Sequence, residues 1–183
     1  MPSKSKIKGS GFEREVAKYL SEAYGGSFIR NNSGSGAYIG GANSVRKATL
    51  SEAQIRHSKG DIVPPEDWRY FNAEAKFYSD LAFHQLLDTC SQIESWLDQL
   101  MAVSDTNDVN ILFMKFNRKG RYVAVQVSPY AWSSACSHVR YTSPLHGDWM
   151  IYTWDTFFRL NRDHLKTYST QIHNTIQQKT LVT

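Results

Sequence analysis

At 183 residues and 41% hydrophobic, the chain is long enough to bury one substantial core, and nothing in it marks a second domain. No run approaches the roughly 18 apolar residues of a membrane helix. The opening MPSKSKIKGSGFERE carries charge where a secretory leader has its apolar segment, so the expectation is an intracellular protein that does not meet a membrane. Two cysteines, Cys90 and Cys136, are too few for a disulfide framework or a four-thiolate zinc site.

The formal net charge of +4 is unevenly held. Residues 51–110 contain 11 acidic and 4 basic residues, whereas the rest of the chain contains 6 acidic and 17 basic ones. The bases gather in the N-terminal arm (Lys4, Lys6, Lys8), around Arg30, Arg46 and Lys47, and in KFNRKGR with Lys115, Arg118, Lys119 and Arg121. That distribution suits a polyanion-binding surface around a local acidic centre, though charge alone fits a solvated surface equally well.

In chain order, residues 11–23 place Phe12, Val16, Tyr19 and Leu20 at helical spacing before the stop signal YGG. SFIR at 27–30 reads as a short strand. From Asn31 to Lys59 the composition, rich in Gly, Asn and Ser, predicts a long mobile excursion with a helical turn in LSEAQIR. DIV is then a strand, PPED a turn and WRYFNAEAKFY a second strand, with Trp68, Tyr70, Asn72, Glu74 and Lys76 on one face. Residues 81–102 place Phe83, Leu86, Leu87, Cys90, Ile93, Leu97 and Met101 on one helical apolar stripe, and VNILFMKF and RYVAVQVSP flank NRKG as a hairpin with a basic tip. The last fifty or so residues, including WMIYTWDTFFRLN, read as mostly helical. This order predicts an α/β domain with helices on a central sheet.

Packing does not explain Glu74 and Lys76. With Asp61 on the hairpin partner strand, two carboxylates come close enough to repel, and a divalent cation would stabilise both. Lys76 adds a point charge that orients a water or stabilises an anion. Two carboxylates and a lysine around a hard cation form an apparatus for phosphodiester hydrolysis. The plainer reading is a surface salt bridge between Glu74 and Lys76, with Asp61 capping a turn.

The ordered segments KGSGFERE, FIRNNSGSG, KGDIV, NAEAK and LFMKFNRKGRYVAVQVSP resemble the PD-(D/E)xK nuclease superfamily, and within it the archaeal-type Holliday junction resolvases, over about residues 8–129. The resemblance implies a restriction-endonuclease-like fold, a central mixed β-sheet flanked by helices, with a nuclease core at 1–129. Residues 130–183 would be a mostly helical C-terminal extension. It further implies a metal-dependent endodeoxyribonuclease that resolves branched DNA as a homodimer. Mg2+ or Mn2+ would be held by Asp61, Glu74 and the Ala75 carbonyl, with Glu13 assisting and Lys76 acting in catalysis. Arg14, Arg30 and Ser33 or Ser35 would lie near the scissile phosphate; Arg46, Lys47 and Lys59 of the excursion and Arg118 and Lys119 of the hairpin tip would add DNA contacts. Glu13 also completes S-x-x-E with Ser10, the signature of a capping box at a helix start. Arg14 also reads as a solvated helix residue and Arg30 as a strand-end surface charge. The 31–60 link and the region after VSP are longer than the family pattern. A sequence- or flap-directed nuclease, or a non-cleaving DNA-binding protein on the same fold, remain the alternatives.

Overall fold

A computed structural model describes residues 4–32 and 39–171. Helix α1 (Lys4–Tyr24) begins seven residues before the apolar periodicity does and buries Phe12, Val16, Ala17 and Leu20. Strand β1 (Ile29–Arg30) pairs antiparallel with β2 (Ile62–Val63), forming a two-stranded sheet of its own. Between them lie a short 3-10 helix at Gly41–Ala48 and α2 (Glu52–Ser58), which opens on a capping box between Ser51 and Gln54. The 3-10 helix stands where the excursion was expected to lack structure, and the helical turn expected in LSEAQIR is α2. Local hydrogen bonding of Ser51 and Gln54 decides this, because α2 itself has no buried residue.

Strand β3 (Phe71–Tyr78) is followed by a 3-10 turn at Phe83–Leu87 and by α3 (Ser91–Met101). The single helix expected over 81–102 is therefore broken. Leu87, assigned to its apolar stripe, is 93% exposed, and Cys90 becomes the residue that opens α3, its N–H donating to the Tyr141 hydroxyl at 3.2 Å. Strands β4 (Val109–Phe116) and β5 (Gly120–Gln126) form the expected hairpin.

Beyond it come β6 (Val139–Ser143), β7 (Gly147–Thr153) and α4 (Trp154–Thr170). The five-stranded sheet has the order β3-β4-β5-β7-β6, with β3 and β4 parallel and all other pairs antiparallel. The fold class is thus the mixed sheet flanked by helices that the sequence predicts. The helical reading of WMIYT is corrected. Trp149 and Ile151 enter the core on one face of β7 and Met150 and Tyr152 the core on the other, so the strand reads as a continuous apolar run without alternation.

The two faces of the sheet are covered separately. Phe71, Ala73, Ala75, Val109, Ile111 and Phe113 pack with α1 and α4. Leu112, Met114 and Phe116 face α3 with Ile93, Trp96 and Leu97. Trp68 sits in the turn before β3, its N–H donating to the Pro65 carbonyl at 3.1 Å, and packs with Phe28 and Phe71. It therefore belongs to the α1 face and not, as the alternation predicts, to the face of Glu74.

Candidate active site

Glu74 and Lys76 project from β3 on the α3 side, because residues two apart on a strand share a face. Asp61 comes to them along the edge of β3 that is not paired with β4. Its N–H donates to the Ala73 carbonyl at 2.8 Å, and its Oδ2 accepts from the Ala75 N–H at 2.9 Å. An edge strand leaves alternate backbone groups unpaired, and here the aspartate uses two of them to fix its own position. Asp61 immediately precedes β2, which pairs with β1 and not with β3 as the expected hairpin, yet the proximity to Glu74 is present because Asp61 itself bonds the free edge of β3.

This approach depends on Gly60. Its φ is +49°, and a Cβ there would stand 2.2 Å from the Ala73 carbonyl oxygen, so no other residue passes without moving the backbone. Asn31 secures the same turn: its N–H donates to the Asp61 carbonyl at 2.8 Å and its Nδ2 to the Gly60 carbonyl at 3.0 Å. Neither residue carries a recognisable signal in the sequence beyond the KGD tripeptide.

Both carboxylates are sequestered, Asp61 and Glu74 each being 6% exposed. Burial, then the charge of Glu74 and to a lesser extent that of Glu13, pushes the Asp61 carboxyl up to about 7, against the opposing pull of the Ala75 N–H and Lys76. Lys76 Nζ donates to Glu74 Oε1 at 2.5 Å and to Gln99 Oε1 on α3 at 2.6 Å. Gln99 is a site residue that sequence reasoning missed; a polar residue on the exposed side of a helix gives no sign that it meets a strand lysine.

Glu13 arrives from α1 on the opposite side of the sheet and pairs with Arg30 Nε, while Arg30 Nη1 donates to Asn32 Oδ1 at 2.7 Å. Because α1 starts at Lys4, Ser10 lies inside the helix and Glu13 is not a capping-box partner. Arg14 is exposed on α1. Ser33 and Ser35 lie outside the described residues.

The lysines assigned to DNA from the excursion are otherwise engaged. Lys59 is 5% exposed, with Nζ 2.6 Å from Asp108 Oδ2 and 2.7 Å from Asp105 Oδ2. Lys47 Nζ lies 2.8 Å from Asp105 Oδ1 and donates to the Val103 carbonyl at 3.0 Å. Lys59, buried against Asp108, and Lys47, paired with the half-exposed Asp105, both tie the excursion to the segment before β4. At the β4–β5 tip, Arg118 is exposed in a left-handed conformation with φ 59°, and Lys119 pairs with Asp80 at 2.5 Å. Lys115 and Arg121 both engage Glu15.

The model of one protein family, described as "Phage putative PDDEXK endonuclease", matches residues 4–167. The chain belongs to that family. No curated protein and no solved structure matches it. The match runs through β6, β7 and most of α4, so these PD-(D/E)xK endonucleases include the C-terminal strands in the family unit.

Family membership brings the expectation of a divalent metal, and the donor set fits one. Among the described residues no three His, Cys, Asp or Glu side chains form a metal cage. Two buried carboxylates on the edge of a strand, with a third from α1 within electrostatic reach, instead match a cation that keeps waters and substrate oxygens among its ligands. Mg2+ is such a cation. No described helix is long and apolar enough to cross a membrane.

Proposed function

We propose that the chain is a Mg2+- or Mn2+-dependent endodeoxyribonuclease acting on branched DNA, with four-way junctions as its preferred substrate. The observation that carries the nuclease reading is the aim of Asp61: its carboxylate is held by the Ala75 N–H in the electrostatic neighbourhood of Glu74, Glu13 and Lys76. A purely binding surface gains nothing from burying acids where phosphates must approach.

Asp61, Glu74 and the Ala75 carbonyl would hold the metal, with Glu13 assisting. A divalent cation bound there supplies a polarised phosphoryl oxygen and a water of lowered pKa. Glu74 and Gln99 orient the Lys76 ammonium, which stabilises negative charge developing at the phosphate or orients the attacking water. Hydrolysis forms a bond from the water oxygen to phosphorus and breaks the bond to the departing sugar oxygen. Arg30, steered by Glu13 and Asn32, and the exposed Arg14 serve to seat the strand beside the site. Arg118 serves as an outlying phosphate contact.

The junction preference rests on the order of motifs in the sequence, and two symmetric nicks require two sites, hence a homodimer. The aromatic residues of the C-terminal third do not supply its interface, since Trp149, Tyr152, Trp154 and Phe157 are core.

The test is incubation of labelled four-way junction, flap, duplex and single-stranded DNA with the protein, with and without Mg2+. Light scattering gives the mass in solution. Junction cutting in symmetric pairs by a dimer supports the proposal. Equal cutting of duplex assigns a different substrate, and binding without cutting assigns a non-cleaving protein. Asp61→Asn and Glu74→Ala are each expected to leave less than about a hundredth of the wild-type rate, a loss of roughly 3 kcal/mol or more of transition-state stabilisation.

A further inference from the structure

Beside the Asp61 turn lies a cavity of about 350 Å3 whose wall includes Arg56 of α2, Lys59, and Arg69 and Tyr70 of the turn before β3. Asp105, Asp108 and Glu52 also line it. The two aspartates are already matched by Lys47 and Lys59, so this group of four contributes no net charge. Glu52 is exposed in the first turn of α2. Two guanidinium groups thus stand against one outlying carboxylate.

Among the described residues, neither the Arg56 nor the Arg69 side chain makes a hydrogen bond, an ion pair or a ring contact. Arg30, Arg121, Arg140 and Arg162 all do. Arg14, Arg118 and Arg159 also lack side-chain partners among the described residues, and what distinguishes Arg56 and Arg69 is that they share one cavity beside the Asp61 turn. Arg56 is half-buried, and its guanidinium is held at a concave surface without a protein anion to neutralise it. Such a group favours an anion from outside, and guanidinium matches a phosphate with paired N–H donors.

The position identifies which phosphate. Lys59 is two residues from Asp61, so their Cα atoms are no more than about 7 Å apart. The cavity wall thus adjoins the turn that carries Asp61, and a backbone phosphate of DNA bound at that turn is the anion its arginines would meet.

We propose that Arg56 and Arg69 form a phosphate subsite that grips the DNA backbone next to the cleaved position. This rests on the nuclease reading given above. One arginine comes from the inserted segment and the other from the strand-leading turn, so occupancy joins the insert to the core. The insert, through α2, contributes a wall of the substrate channel.

The experiment measures binding of a short labelled duplex and a four-way junction in EDTA across a salt series, with cleavage in Mg2+ followed separately. Wild type, R56A, R69A, the double variant, R56K/R69K and R159A, which lies outside the cavity wall, are compared, each checked by circular dichroism. Each phosphate contact on B-DNA contributes about 0.9 to the slope of log K against log salt, so the double variant should lose about 2. R56K/R69K should keep most of the slope, and R159A all of it. A slope unchanged in the double variant, with wild type binding and cutting normally, overturns the subsite and leaves the nuclease reading intact. Failure of wild type to bind DNA at all overturns both. Titration with inorganic phosphate provides the remaining arm: thermal stabilisation that needs both arginines while the DNA slope does not change assigns the cavity to a free phosphate and also overturns the proposal.

Discussion

Asp61 concentrates the chemistry of the site in one side chain. Its carboxyl, raised from 3.8 to about 7 by burial and then by Glu74, binds a proton in the native state over a range where the unfolded chain has lost it. The stabilising contribution is complete below pH 3.8 and gone above about pH 7, so the metal-free protein loses stability across that interval, by up to about 4 kcal/mol. Urea denaturation in EDTA should show the decline between pH 5 and pH 8, Asp61→Asn should flatten it, and added Mg2+ should restore wild-type stability at pH 8. A flat wild-type profile would mean that the carboxylate is comfortable without a cation. At the next residue, Gly60→Ala meets both the positive φ and the Ala73 carbonyl. It should cost about 2 kcal/mol or more and lower cleavage at least tenfold at a temperature where the variant is folded. Glu13→Gln, freed of any capping role, should lower activity by loosening Arg30 while melting moves little.

The element scale explains why an insert of 30 residues does not blur the site. Lys59, at the end of α2, and Lys47, in the preceding 3-10 helix, both reach Asp105 in the loop between α3 and β4, and Lys59 reaches Asp108 as well. The insert is tied at two points to the elements that carry Gln99 and β4, and the second tie falls two residues before Asp61. Removing one partner of a buried pair strands the other, so Lys59→Met should destabilise by about 3 to 5 kcal/mol. Lys59→Met combined with Asp108→Leu should recover a large part of that loss. A double variant as unstable as the single one would show that Asp105, still facing the vacated position, dominates. The same geometry explains why the charge of the excursion misleads: a lysine in a Gly- and Ser-rich stretch looks like a phosphate contact until its carboxylate, 49 residues away, is seen.

At the scale of the molecule, the C-terminal third supplies two of the five strands of the large sheet and a helix of its core. β7 pairs with β5 along Tyr122–Gln126, and α4 adds Trp154, Phe157, Phe158 and Leu165 to the core that α1 shares. A chain ending at residue 129 would expose the edge of β5 and leave that core uncovered on one side, so it should fail to fold cooperatively by circular dichroism and melting. A folded, cleavage-competent truncation would return residues 130–183 to the status of an appendage.

Sequence by itself settled the features that depend on local periodicity or on pairing between neighbours. These are α1, the β4–β5 hairpin, the fold class, and Glu74 beside Lys76, whose shared face follows from strand geometry alone. Motif order was also enough to indicate the nuclease family, because each segment carries its own residue pattern. Only the tertiary structure decided that Asp61 reads the free edge of β3, that Gln99 meets Lys76 and that Glu13 crosses to the site through Arg30, since these contacts join residues far apart in the chain. It also decided β7, whose two buried faces erase the alternation that announces a strand. It likewise separated the lysines held in ion pairs from Arg56 and Arg69, which have none among the described residues: charge is written in the sequence, but its neutralisation depends on what the fold places opposite.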